Sequence, residues 1–383
     1  MRSRNRRRRN GVILVLSAVM MVVVLALAAF AVDIGYVVLV RTELQAAADS
    51  AAMASTWDLL RSHVVLPATT VQATLDQARA TARDYAGDNF AANRGSLNLA
   101  DSDITIGRLD VTGSRDALST STDPSRFNAV QIRARRTADQ NGEVSMFFAR
   151  ILGTNTVWGR AAAMAAYVDN FQGFKPPADG DANLPILPLA LDKQSWDALL
   201  AGNTGDNWMW NDQGNHVTSG QDGVLEVNLY PQGTGSPGNR GTVDVGSPNN
   251  STCDISRQIR YGVTARDLSY LPGGKLTFGS DGTIRLNGDT GMSAGIKDDL
   301  ASIIGQTRVI PIFSNVSGNG NNAEYTIVQF AGVRILAVDM TGNPSSRYVM
   351  VQPAAMLIDN GIPAPDDTNY SQFLYSKHVW LVQ

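Results

Sequence analysis

A run of 22 uncharged, mostly apolar residues, numbers 11–32, constrains this chain more than any other feature. It reads GVILVLSAVMMVVVLALAAFAV, and a helix of that length extends about 33 Å because each residue adds about 1.5 Å. The hydrocarbon core of a bilayer is about 30 Å thick. The sequence therefore predicts a transmembrane helix over residues 11–33, ending where Asp33 supplies the first charge.

Six arginines lie between residues 2 and 9 with no acidic residue among them, and the flank after Asp33 carries no comparable charge. Because basic flanks stay on the cytoplasmic side, we expect residues 1–10 to be a basic cytoplasmic tip. The body would then lie on the opposite side of the membrane. A cleaved signal peptide stays open as an alternative, since Ala29-Phe30-Ala31 satisfies the small-x-small cleavage rule.

Asp33 stands where a carboxylate can mark a proton or cation site within a membrane. Because 22 uncharged residues already precede it, we interpret Asp33 as an interfacial residue at the end of the span. Both interpretations place it at the boundary between the anchor and the body.

Charge and cysteine content exclude several classes of protein. Without the six terminal arginines, 26 basic and 35 acidic residues remain, and a body this acidic argues against binding to nucleic acid. Cys253 is the single cysteine, so no disulfide can form within the chain.

Beyond the anchor, residues 34–60 contain good helix formers and no proline, so the helix should continue outward as one rod. Small residues form a seam on it that we expect to pack within the same chain: Ala47, Ala48, Ala51, Ala52 and Ser55. Residues 71–93 predict a second helix that folds against the first, with an inward face of Val71, Leu75, Ala78, Ala82 and Tyr85.

Alternating patterns predict strands over residues 103–111 and 128–137. Residues 145–153 predict a short apolar helix closed by Gly153, and residues 156–168 could complete the sheet. Residues 34–168 would thus form one unit of helices and an antiparallel sheet.

Glycines and prolines crowd residues 169–188, which we interpret as a linker. The strand-like segments beyond it predict a mostly β domain over residues 189–383, with a long exposed loop at 233–252. The fold class expected for the whole chain is α+β.

The N-terminal pattern resembles that of the TadE/TadG-like proteins of Flp pilus (tight-adherence) assembly. The resemblance extends over about the first 168 residues. It consists of an arginine-flanked glycine, an apolar span, an aspartate-aliphatic-glycine turn and a leucine-glutamine-alanine run. The matching positions are Arg9, Gly11, Asp33, Gly35, Arg41, Leu44, Gln45, Ala46, Asp49, Ala51 and Ala52.

The resemblance implies a membrane-anchored component of pilus assembly or envelope adhesion, with residues 34–168 as a pilin-like helix-and-sheet unit. It would lie in a bacterial cytoplasmic membrane with its body in the periplasm or outside the cell. Its partners would be the lipid bilayer and other pilus-assembly or envelope proteins, with self-association possible. Pilin-like members that are cleaved after the glycine carry a glutamate five residues later, and here that position is Leu16. We therefore favour a retained membrane protein over a processed fibre subunit.

The sequence gives no sign of a catalytic, cofactor or metal site, so we predict a non-enzymatic protein without cofactors. His63, His216 and His378 are too widely spaced for a metal pair. Asp110–Ser114 only faintly resembles a metal-binding loop, and the spacing of Asp179, Asp181 and Asn183 lacks the other ligands of an EF-hand. We interpret the adjacent residues Asp366 and Asp367 as part of a solvated turn. Two alternative functions remain. One is a glycan- or ligand-binding module, to which Trp208 and Trp210 could contribute a stacking face. The other is a hydrolase without a recognisable motif.

Overall fold

The computed structural model describes residues 10–65, 71–91, 96–113, 118–178, 182–230, 241–246, 251–288, 294–319, 322–343 and 346–382. The α-helices are α1 Asn10–Val65, α2 Val71–Gly87, α3 Lys193–Leu200, α4 Thr252–Tyr261, α5 Ala265–Leu268 and α6 Lys297–Ala301. Short 3-10 helices are Asp101–Asp103, Pro124–Arg126, Ala149–Leu152, Pro272–Gly274 and Ala294–Ile296.

The first ten strands are β1 Ile104–Gly107, β2 Ala129–Arg136, β3 Val144–Ser145, β4 Thr156–Val157, β5 Gly159–Ala166, β6 Phe171–Phe174, β7 Leu191–Asp192, β8 Trp208–Asn211, β9 His216–Ser219 and β10 Val227–Asn228. The other ten are β11 Leu276–Thr277, β12 Ile284–Asn287, β13 Thr307–Ser317, β14 Glu324–Asp339, β15 Tyr348–Pro353, β16 Met356–Ile358, β17 Gly361–Pro363, β18 Ser371–Gln372, β19 Leu374–Ser376 and β20 Trp380–Leu381. The chain is α+β, as its sequence predicted.

Helix α1 is continuous over 56 residues and changes character along its length. Nearly all side chains from Ile13 to Val32 are exposed, whereas from Val40 onward one face is buried. The expected seam is confirmed, because its five small residues Ala47, Ala48, Ala51, Ala52 and Ser55 are all fully buried within this chain. The second half of α1 is therefore the central helix of a folded unit.

Helix α2 packs on α1 as expected, but through a shifted face. Its buried residues are Thr74, Leu75, Ala78, Ala82 and Ala86. Val71 and Tyr85, which the spacing placed inside, are 40% and 50% exposed. Small residues let two helices approach closely, and the bulky ring of Tyr85 stays outside such a contact while Ala86 enters it.

A four-stranded sheet in the order β1-β2-β5-β20 covers the other side of α1. Its strands pair antiparallel, with Ile132 opposite both Ile104 and Ala163. Val130, Ile132 and Ala134 turn toward the helices and share one core with them. The edge strand β20, Trp380–Leu381, pairs with Ala165 and Ala166 of β5, so a segment that follows the β-rich region in sequence completes this sheet.

The C-terminal region is mostly β. Its largest sheet has the order β10-β15-β14-β13-β7, and β12 and β18 also pair with β14. Within the predicted linker, Phe171–Phe174 forms strand β6 between β11 and β17. The domain boundaries at residues 168 and 188 stay a prediction, and the loop expected at 233–252 falls largely outside the described residues.

We predict that Ala48→Leu destabilises the fold, because Ala48 is fully buried between packed elements and has no space for a larger side chain. Overpacking a filled core costs about 1–3 kcal/mol. Thermal unfolding of the full chain in detergent measures the effect. The matched control is Ala46→Leu, two residues away on the exposed face of the same helix, which should leave the melting temperature almost unchanged. Equal effects of the two variants would contradict the packing.

Candidate functional site

The first half of α1 is a candidate membrane anchor. Among the described residues, α1 is the one helix long and apolar enough to cross a membrane, and its most apolar window has a mean hydropathy of 3.0 with none of it buried. Exposed side chains include Leu14 at 73%, Val22 at 66% and Leu27 at 64%. Water solvates such a surface poorly, so its length and composition indicate membrane anchoring.

Asp33 supplies the first charge after the apolar run and is itself 3% exposed. Its carboxylate accepts three backbone N–H bonds from Phe147, Phe148 and Ala149, at 2.9, 3.0 and 2.6 Å. These amides begin the 3-10 helix Ala149–Leu152, where N–H groups otherwise lack partners. Asp33 thus lies within the continuous helix α1, and its buried carboxylate binds the start of a short helix of the same chain. Its expected position at the membrane interface stays a prediction.

The segment that Asp33 holds is the tip of a hairpin. Strands β3 and β4 pair antiparallel, and the chain between them forms the 3-10 helix. Gly153 closes that helix with φ of +90°, a conformation that favours glycine. The helix expected over residues 145–153 is thus only partly confirmed, because Ser145 belongs to β3 and only Ala149–Leu152 is helical. The ring of Phe147 also meets Tyr36 edge-on at 5.0 Å between centroids. The hairpin tip is therefore attached to α1 by both polar and aromatic contacts.

The family-motif residues divide between the core and the surface. Arg9 lies outside the described residues, Gly11 falls in the first turn of α1, and Gly35 is exposed with open space where a Cβ would be. Arg41 and Ala46 are exposed, whereas Leu44, Ala51 and Ala52 are buried. Their roles in the family stay a prediction.

Gln45 connects α1 to the sheet through polar contacts. Its side-chain amide donates to the carbonyl of Ala162 at 3.1 Å and to Asp49 at 2.8 Å. Thr56, further along α1, donates to the carbonyl of Ala165 at 3.2 Å. These bonds satisfy polar groups of β5 and fix the strand along the helix.

Arg108 connects the N-terminal sheet to the C-terminal region, a contact that the sequence analysis did not predict. Its guanidinium donates to Asp169 at 2.5 Å and to Asp366 at 2.6–3.1 Å. Burial alone would lower the pKa of Arg108, but the two carboxylates raise it above its ordinary value. Asp366 is therefore an ion-pair partner, which corrects its interpretation as part of a solvated turn, while Asp367 is exposed.

The weak metal-like patterns have ordinary structural explanations where the structure describes them. Asp110 accepts bonds from Thr112 and Gly113 in a tight turn, and these hold the pKa of its carboxyl below the ordinary value although partial burial opposes them. Ser114, Asp179 and Asp181 fall outside the described residues. No group of three or more metal-ligating side chains occurs in the part of the chain that the structure describes.

The geometry defines a class of protein in which one helix is apolar over its first half and supports a small antiparallel sheet with its second half. Two family models match this part of the chain: Tad, described as Flp pilus-assembly TadE/G-like, over residues 11–58, and Tad_C, described as Tad-like Flp pilus-assembly, over residues 62–165. Residues 11–58 and 62–165 thus match the Flp pilus-assembly family that the sequence pattern resembles. No curated protein and no solved structure matches it significantly.

We predict that Asp33→Ala releases the hairpin tip without unfolding the unit. A hydrogen bond to a charged group is worth about 1.5–3 kcal/mol, so the amides of Phe147, Phe148 and Ala149 should exchange with deuterium at least about tenfold faster. Hydrogen exchange of the full chain in detergent measures this. Asp49→Ala, which removes a single side-chain bond on the same helix, should leave these amides unchanged, and unaltered exchange in the Asp33 variant would contradict the assignment.

The contribution of the Arg108 ion pair to stability can be tested by comparing variants of two neighbouring aspartates. Asp366→Asn should lower the free energy of unfolding by about 1–3 kcal/mol because it removes the charge opposite a buried guanidinium. Asp367→Asn, in an exposed neighbour, should change it by less than about 0.5 kcal/mol. Chemical denaturation compares the two, and a larger loss for Asp367→Asn would contradict the pairing.

Proposed function

We propose that this protein is a membrane-anchored, non-enzymatic component of Flp/Tad-type pilus assembly or envelope adhesion, acting through protein–protein contacts outside the membrane. The observation that carries the proposal is that the family match coincides with the structural unit. The first matched range covers most of α1, and the second ends within β5. The apolar half of α1 provides the anchor, and the remainder presents folded surface.

The proposed orientation has the basic tip in the cytoplasm and the body in the periplasm or outside the cell. It rests on the arginine cluster and the positive-inside bias. A long helix that is lipid-embedded at one end and packed in the body at the other would hold that body at a fixed distance from the membrane. The surfaces offered to partners are then those of the helix-and-sheet unit and the β region.

A retained anchor predicts an intact N-terminus in the mature protein. Mass spectrometry of protein purified from membranes should give the mass of the uncleaved chain, apart from any removal of Met1. Leu16 in place of the glutamate of cleaved pilins supports this expectation. A mass corresponding to cleavage after Gly11 would indicate a fibre subunit instead, and cleavage after Ala31 would indicate a released body.

The assembly role predicts that deleting the gene abolishes surface pili or surface attachment of the bacterium, and that the full chain restores them. The informative variant replaces residues 1–32 with a cleavable signal peptide, which exports the same body without its anchor. We expect it to be exported and folded but not to restore attachment. Normal piliation and attachment in the deletion strain would refute the proposed role.

A further inference from the structure

The hairpin between β3 and β4 carries an unusual amount of exposed apolar surface at its tip. Phe147 is 60% exposed, Phe148 43%, Ile151 84% and Leu152 83%; Trp158, just after β4, is 57% exposed. We call these five side chains the apolar tip. Single exposed apolar residues are normal on a protein, but a cluster of this kind marks an interaction surface.

The position of the apolar tip identifies what it meets. Strand β5 follows α1 from Thr56, near Ala165, to Leu44, which would contact a Cβ placed on Gly159 at 3.0 Å. Continuing in the same direction, the hairpin reaches Asp33, where its amides are bound. The folded unit therefore extends its apolar tip back along α1 toward the candidate anchor.

The end of the anchor and the apolar tip lie at one level. From Ile13 to Asp33 the helix rises about 30 Å, the thickness of a bilayer core, so a membrane that covers the exposed apolar residues of α1 ends near Asp33. Ile34 and Val38 continue the exposed apolar surface beyond that point, at 48% and 56%. The apolar tip, attached at Asp33, thus lies at the level where the surface covered by lipid would end.

The chemistry of the tip also suits a membrane interface. Aromatic side chains favour the headgroup boundary, and arginines there meet lipid phosphates. Arg150 lies within the tip, and the guanidinium of Arg160 stacks over Trp158 at 4.6 Å from the ring centroid. Unpaired amides are costly near hydrocarbon, and the carboxylate of Asp33 supplies the acceptor for the three N–H groups at the start of the turn.

We propose that the apolar tip is a second membrane-contacting element, which inserts into the interfacial region of the leaflet from which α1 emerges. The inference rests on the membrane anchor of the proposed function and adds to it a lipid contact made by the folded body. With two points of contact, the body is held against the bilayer at a fixed tilt and rotation. Asp33 acts as a positioning residue that holds the tip at that depth.

Fluorescence quenching by lipids tests the proposal on the full chain. Cys253 is the single cysteine and is exposed, so Cys253→Ser gives a background in which Leu152→Cys carries an environment-sensitive label. The protein is reconstituted in vesicles of phosphatidylethanolamine and phosphatidylglycerol containing spin-labelled lipid. We expect blue-shifted emission and strong quenching. A label at Ile151→Cys, which is equally exposed, should behave in the same way.

Two control labels distinguish lipid contact at the apolar tip from insertion of the anchor helix. A label at Tyr261→Cys, 65% exposed on α4, should report water and resist quenching. A label at Val24→Cys, in the apolar half of α1, should be quenched if the anchor lies in lipid. Quenching at 24 together with water-like emission at 151 and 152 would overturn the lipid contact and leave the anchor intact, whereas no quenching at 24 would overturn the anchor and with it this inference.

A protein partner at the tip has a different signature. If a second copy of this chain covers the tip, the labels at 151 and 152 will be blue-shifted without lipid quenching, and the shift will disappear when each nanodisc holds one copy. That result would overturn the lipid contact. Adding Asp33→Ala to the Leu152→Cys protein should reduce the quenching while the label at 24 keeps it, and undiminished quenching would overturn the positioning role of Asp33.

Discussion

The structure depends on one helix that must satisfy two environments in succession. Over residues 13–32, α1 exposes apolar side chains in every direction; beyond Val40 it buries one face in a protein core. At the junction the carboxylate of Asp33 accepts three backbone N–H bonds from the hairpin tip. Because the helix is unbroken, the orientation of the anchor and that of the folded body are mechanically coupled.

Small side chains let the elements of the folded unit pack closely against α1. Alanines on α1 and α2 let the two helices lie near each other, and Gly159 lets β5 begin against Leu44 and Val40. The sheet is fixed along the helix by polar bonds from Gln45 and Thr56 at intermediate points. A unit bound to one helix at several levels can transmit force between a membrane and whatever the body contacts, which fits the proposed role in assembly.

Features set by local sequence could be predicted. The apolar run, the proline-free continuation of α1, the alanine seam and the glycine that closes the short helix all express periodicity or backbone preference within a few residues. The inward face of α2 was predicted only in part, because spacing alone does not show whether a tyrosine or an alanine enters a close helix contact. The α+β class followed from the same local patterns.

Contacts between distant residues could not be predicted from this sequence. Asp33 meets amides 114–116 residues away, and Arg108 meets Asp366 across 258 residues. Backbone amides carry no sequence signature, and a single aspartate among 35 acidic residues does not identify its partner. The pairing of β20 with β5 likewise depends on register and topology, which alternation of apolar residues does not specify.

Helix α1 passes from lipid to a protein core near Asp33, and an accessibility scan along the helix measures that change of environment. Spin labels placed singly from residue 20 to residue 56, in vesicles and without Cys253, would report collisions with oxygen, which dissolves in lipid, and with a water-soluble nickel complex. We predict uniformly high oxygen accessibility up to residue 32, then a helical period with low accessibility to both reagents at residues 40, 44, 47, 48 and 51. Uniform lipid exposure continuing through residues 40–51, or nickel accessibility throughout residues 20–32, would contradict the account.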